Sequence, residues 1–138
     1  MMRVLVVDDD ADGIEAVCKF LIKAGHEAVC VPNGREALAV LATAKPDVVV
    51  LDLLMPEMDG TSFLEVLRNY YRGALMPVIV LSALNSGPLV QRALKLGVKR
   101  LFLKGDYNLS DLLECVNEFA GSTPGAAAET ADHLGFAL

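Results

Sequence analysis

The sequence lacks paired cysteine motifs, an excess of basic residues and any long uninterrupted apolar run. Cys18, Cys30 and Cys115 are scattered singly, with no Cys-x-x-Cys pair, so three reduced core thiols are expected. Lysine and arginine number 12 against 18 aspartates and glutamates, a net charge of -6 and a pI near 4.8. Such a balance argues against a nucleic-acid surface, which would present a basic stripe. No apolar stretch reaches the ~20 residues a membrane span needs. The longest candidate, "ALMPVIVLSAL", is interrupted by Pro77, and "MMRVLVVDDD" turns acidic too early for a signal peptide. A cytoplasmic location without membrane contact is the expectation.

What the chain does have is a compact, apolar composition. It contains 138 residues, 54% of them hydrophobic, with a positive mean hydropathy of +0.44. That is enough for one complete core, expected over residues 1–120, with a short extension at 121–138. Five runs, "RVLVV" (3–7), "EAVCV" (27–31), "DVVVL" (47–51), "PVIVL" (77–81) and "RLFL" (100–103), read as strands. All but the second are nearly continuously apolar, as in parallel strands covered on both faces. The mixed second run belongs at an edge.

Segments of helical period lie between them. Ile14, Val17, Cys18 and Leu21 make one buried stripe; Phe63, Val66, Leu67 and Tyr70 make another; Leu109, Leu112, Leu113 and Val116 make a third. "GREALAVLATA" and "PLVQRALKLG" supply two more helices. Asp12 with Glu15 and Asn33 with Glu36 read as capping boxes, and Asp59 as a further cap. Gly25 and Gly97 stand where helices should stop. The pattern predicts a flavodoxin-like (βα)5 α/β fold, a doubly wound five-stranded parallel sheet in the order 2-1-3-4-5. Past Ala120 the repeat ends. Thr123, Pro124 and Gly135 could cap, start and stop a short helix, or 121–138 could be a disordered tail.

In an open α/β sheet, ligands bind outside the carboxyl ends of the strands. The first strand ends in Asp8-Asp9-Asp10, the third in Asp52, the fourth in Ser82 and the fifth in Lys104. With ~4.8 Å between neighbours, four such ends span about 14 Å, within side-chain reach of one centre. Carboxylates so gathered repel unless a cation joins them, and an all-oxygen donor set with room for water suits Mg²⁺. One aspartate could then act as a nucleophile toward phosphorus, with the metal, Ser82 and Lys104 holding the phosphoryl oxygens.

"VLVVDDD", "DVVVLDLLMPEMDG", "VIVLSA" and "LFLK", in that order and at these separations, resemble the receiver domain of two-component response regulators. The resemblance covers about residues 2–120. It implies that Asp52 is the phosphoacceptor, that Asp9 and Asp52 bind Mg²⁺ directly while Asp8 acts mainly through water, and that the Leu54 carbonyl completes the metal shell. It implies that Ser82 moves toward the phosphoryl group and that Lys104 is its counter-charge. A sensor histidine kinase or histidine phosphotransfer protein would be the donor. The surface of helix 4, strand 5 and helix 5 would switch contacts with a downstream protein, in a monomer or weak dimer. The Pro56 turn would bring the following loop around the site.

Three positions depart from the family pattern. Leu101 stands where a rotating aromatic is usual, with Phe102 expected on the opposite strand face. Gly105 replaces the proline that usually follows the lysine. Leu54 and Leu84 occupy positions where polar groups help orient the hydrolytic water, so slow self-dephosphorylation is expected. Asp10 reads as a solvated neighbour, His26 and His133 as surface residues, and Arg68, Arg72, Arg92, Lys95, Lys99 and Arg100 as solvated faces. The leading reading is a stand-alone phosphoacceptor receiver, not a conventional enzyme. The alternatives are a phosphorylation-independent pseudo-receiver and a haloacid-dehalogenase-type phosphatase, whose DxDGT signature is echoed by "EMDGT" but with Glu57 in place of the nucleophile.

Overall fold

The computed structural model describes residues 1–55, 58–69 and 76–120. The expectations for Pro56, Glu57, Tyr70, Arg72, His133 and the 121–138 segment lie outside them. The chain alternates β1 (Arg3–Val7), α1 (Ala11–Lys23), β2 (Glu27–Val31), α2 (Gly34–Ala44), β3 (Val48–Asp52), α3 (Gly60–Asn69), β4 (Val78–Ser82), α4 (Pro88–Lys95), β5 (Arg100–Leu103) and α5 (Leu109–Ala120). All strand pairs are parallel and the order is β2-β1-β3-β4-β5, as the pattern predicts. β3 and β4 begin and end one residue later than their apolar runs suggest. Asp52 and Ser82 are therefore the last ladder residues of their strands, with Asp52 in register with Leu81 and Ser82 with Leu103.

Alternation along the strands divides the core in two. Leu5, Val7, Val49, Leu51, Val78 and Val80 face Ala37, Leu41, Phe63, Leu67, Val90 and Ala93 of α2, α3 and α4. Val4, Val6, Val48, Val50, Ile79 and Leu81 face Val17, Leu21, Leu112 and Val116 of α1 and α5. Leu101 packs with the first layer and Phe102 belongs to the second, so these neighbours do point to opposite faces.

Helix signals hold with one exception. Asn33 Oδ1 accepts the Glu36 N–H at 2.8 Å, and Asp59 Oδ1 accepts the Ser62 N–H at 2.9 Å, each closing an otherwise unpaired first-turn donor. Asp12 does not cap: α1 begins at Ala11, so Asp10 takes the N-cap position and Asp12 lies within the first turn. Its carboxylate there still meets the positive end of the helix dipole. Gly25 and Gly97 stop α1 and α4 at φ 99° and 79°, a left-handed turn that costs a residue without Cβ little.

Three other expectations need correction. Cys18 and Cys30 are not isolated thiols. Cys18 lies on the inner face of α1, Cys30 points to the same side of β2, and the two are joined as a disulfide with Cα atoms 6.7 Å apart. Cys115 is free and buried. Arg68 is no solvated residue; its guanidinium donates to the carbonyls of Met76 and Leu96, both at 2.7 Å, and of Gly97 at 3.3 Å. His26 is half-buried. Its Nδ1 accepts the Met2 N–H at 3.0 Å and its Nε2 lies 2.9 Å from Asn117 Oδ1, which links the residue before β1, the α1–β2 turn and α5.

Candidate functional site

The polar residues picked out at strand ends converge at the carboxyl rim of the sheet. Asp8 follows β1, its N–H held by the Val31 carbonyl at 3.1 Å, and its Oδ1 accepts the Asp10 N–H at 2.9 Å. Asp52 closes β3 and its Oδ1 accepts the Leu54 N–H at 3.3 Å. Asp8 and Asp52 are only 5% and 3% exposed, whereas Asp9 is open to solvent. One carboxylate oxygen from each of the three lies within 4.8 Å of the others.

Lys104, just past β5, reaches across the sheet. Its Nζ lies 2.9 Å from Asp8 Oδ2 and 3.4 Å from Asp52 Oδ2. Its backbone N–H is fixed by the Ser82 carbonyl at 2.7 Å. The Ser82 side chain is fully buried, with its Oγ accepting the Leu84 N–H at 2.9 Å. Asp8, Asp9, Asp52, Ser82 and Lys104 thus share one rim, and Leu54, 45% exposed, sits on the loop immediately after Asp52.

Charge decides what this arrangement can do. Two carboxylates 4.8 Å apart repel by about 3 kcal/mol at an effective dielectric near 20. Two of the three carboxylates, Asp8 and Asp52, share the Lys104 ammonium. Burial, and then the charge of Asp8, push the Asp52 carboxyl up to about 6, against the pull of Lys104. Burial would lower the Lys104 ammonium, but its bonds to Asp8 and the charges of Asp52 and Asp8 outweigh that and raise it. An oxygen-only set with excess negative charge, one member open to water, is the chemistry a hard divalent cation fits.

Gly60, the first residue of α3, packs against the backbone at the end of β3. A Cβ there would collide with the Asp52 carbonyl oxygen and lie 2.7 Å from the Leu53 Cα, while the Gly60 N–H donates to the Leu53 carbonyl at 3.0 Å. The departures are also visible: Gly105 adopts φ 83°, outside proline's range, and Tyr107, beyond it, stacks on Phe102 with ring centroids 5.8 Å apart.

The response regulator receiver domain family matches residues 4–117. The chain belongs to that family. Among solved structures this receiver domain is similar to the chemotaxis protein CheY4 of Vibrio cholerae, with a TM-score of 0.79, 30% identity, and 86% of this chain and 98% of that one covered. It is also similar to the receiver domain of a signal transduction histidine kinase from Syntrophus aciditrophicus, with TM-score 0.79, 30% identity, and coverage of 88% and 92%. A curated relative, the protein-glutamate methylesterase/protein-glutamine glutaminase of Archaeoglobus fulgidus, is 39% identical over 136 residues, 96% of this chain but 38% of that protein. The regulator of RpoS of Escherichia coli strain K12 is 33% identical over 114 residues, 83% of this chain and 33% of that protein. The receiver domain therefore spans between a third and two fifths of the length of these curated relatives. Among its described residues, no helix is long and apolar enough to cross a membrane.

Proposed function

We propose that this receiver domain is a Mg²⁺-dependent phosphoacceptor of a two-component phosphorelay in the cytoplasm, switching protein contacts rather than turning over a small substrate. The observation that carries the reading is the bridge of Lys104 between Asp8 and Asp52, with Asp9 completing a carboxylate cluster whose oxygens lie within 4.8 Å of one another. Asp52 Oδ is the nucleophile. It attacks the phosphorus of a phosphohistidine on a sensor kinase or phosphotransfer protein; the new O–P bond forms as the N–P bond breaks, and the imidazole leaves. Asp9, Asp52 and the Leu54 carbonyl would hold Mg²⁺, with Asp8 acting through water. When bound, the ion neutralises carboxylate and phosphoryl oxygens that would otherwise repel.

Lys104 is freed from Asp52 as the transferred group takes a second contact with its ammonium. Ser82, whose hydroxyl is buried at the end of β4, supplies a hydrogen bond to the acceptor once it turns toward the phosphoryl oxygens. With Leu101 in place of an aromatic, the change passes to α4, β5 and α5 through the Ser82–Lys104 loop contacts rather than through ring rotation. Leu54 and Leu84 leave the hydrolytic water without a polar guide, so the acyl phosphate outlives a scale of minutes. The domain acts as a monomer or weak dimer.

Incubation of the chain with a small acyl-phosphate donor and Mg²⁺, followed by intact mass, tests the proposal. One phosphoryl addition is expected, absent without Mg²⁺ and absent in Asp52→Asn. No addition under any condition would favour a phosphorylation-independent interaction module instead.

A further inference from the structure

Between α1 and β2 runs an open groove of about 390 Å³ that begins at the acidic pair and passes both paired cysteines; Asp8, Asp9, Ile14, Cys18, Cys30 and Val31 line it. Cys18 is 7% exposed, beneath the helix, whereas Cys30 faces solvent on the edge strand. Their Cα separation of 6.7 Å lies within the range a disulfide can bridge. Cys30 directly precedes Val31, whose carbonyl holds the Asp8 N–H. Cys18 sits two turns into the helix that follows Asp8-Asp9-Asp10.

We infer that Cys18 and Cys30 form a redox-reversible modification site that clamps α1 to the end of β2 and thereby sets how firmly the acidic loop is held. The oxidant class is a low-molecular-weight disulfide. The exposed Cys30, as thiolate, attacks one sulfur of the oxidant and expels a thiolate. Cys18, having lost its proton, then displaces the second thiolate and closes the Cys18–Cys30 bond. The two cysteines give up two electrons and two protons; the oxidant's S–S bond takes both electrons and leaves as two thiols. In reducing compartments disulfides are commonly transient and redox-sensing, and an exposed partner beside a buried one gives the attacking and resolving positions such chemistry requires.

The strand consequence follows from topology. β2 pairs with β1 alone, so its outer edge has no ladder to hold it, and the covalent link to α1 supplies a second attachment. Reduction leaves the β2 end held by the β1 ladder and packing only. None of this depends on phosphoryl transfer.

The test uses the full chain. After oxidised glutathione, denaturation and alkylation, one label is expected, on Cys115; after dithiothreitol, three. Three labels under both conditions, or glutathione left on Cys30 as the final product, would overturn the pairing. Hydrogen exchange reads the clamp: the Asp8 amide and those of residues 27–31 should exchange at least about threefold more slowly in the oxidised chain. Cys30→Ser should abolish that redox difference. Equal exchange in oxidised and reduced wild type would overturn the clamp even if the bond forms.

Discussion

The two rims of the sheet solve opposite problems. At the amino rim the half-buried polar groups among the described residues have matching partners: Arg68 donates to three backbone carbonyls and His26 links Met2 to Asn117, while the Arg3 N–H donates to the Asp47 side chain at 2.8 Å. At the carboxyl rim three carboxylates cluster, two of them on one ammonium, and burial and charge push Asp52 up to about 6. The layers between are the same valines and leucines. Hydrogen bonds close the fold at one end, while the charge at the other is unbalanced, as the proposed cation and phosphoryl chemistry requires. Binding energy is thus stored as unrelieved repulsion where chemistry is expected and removed where it is not.

Asp52→Asn breaks the contrast most completely. Phosphoryl acceptance should vanish, read by intact mass after incubation with an acyl-phosphate donor, while the metal-free chain becomes more stable at neutral pH because a repelling charge is gone. A destabilised variant at pH 7 would contradict the electrostatic account. Arg68→Ala is the converse. It strips three carbonyls of a charged donor and should cost roughly 3 kcal/mol in urea unfolding, with acceptance at saturating Mg²⁺ unchanged.

The pH dependence of the metal-free chain sharpens the difference further. Asp52 titrates at about 6 in the fold against an ordinary 3.8. Between those values the folded chain keeps a proton that the unfolded chain has lost. This group's contribution is therefore fully present below about pH 4 and falls away as pH rises through about 6, by about 3 kcal/mol. Subtracting the Asp52→Asn stability curve should isolate that slope, and a flat difference from pH 4 to 7 would contradict it. Gly60→Ala pushes a methyl into the Asp52 carbonyl and should cost about 2 kcal/mol while slowing the proposed phosphoryl acceptance severalfold, since the end of β3 must move. The smallest effect belongs to a single helix cap. Asn33→Ala removes one cap bond and should lower stability by about 1 kcal/mol, leaving acceptance untouched.

The fold was legible because parallel strands buried on both faces must be apolar throughout, which makes "DVVVL" and "PVIVL" stand out from the helical periods around them. The site was legible for a related reason: a charged or hydroxyl residue that ends such a run has one place to go, the carboxyl rim. What escaped reading depends on contacts between elements rather than on pattern along one. Arg68 binds carbonyls, which every residue has, so nothing in the sequence marks its partners. Cys18 and Cys30 meet only because a helix face and an edge strand share a side of the sheet. Asp12 misled because Asp10 stood two residues earlier with equal capping chemistry, and the structure starts the helix sooner. The missing Cβ of Gly60, which lets α3 lie against the backbone of Asp52 and Leu53, is another contact between elements that no local pattern marks.

The His26 link has a practical corollary. It draws Met2, the first residue of the sheet's buried layer, and Asn117, one turn from the end of α5, to the same end of the molecule. Five residues of strand separate that end from Asp52, about 16 Å. A fluorescent protein or affinity handle joined before Met1 would project away from the acidic cluster, and the approach to Asp52 should stay sterically free in that fusion.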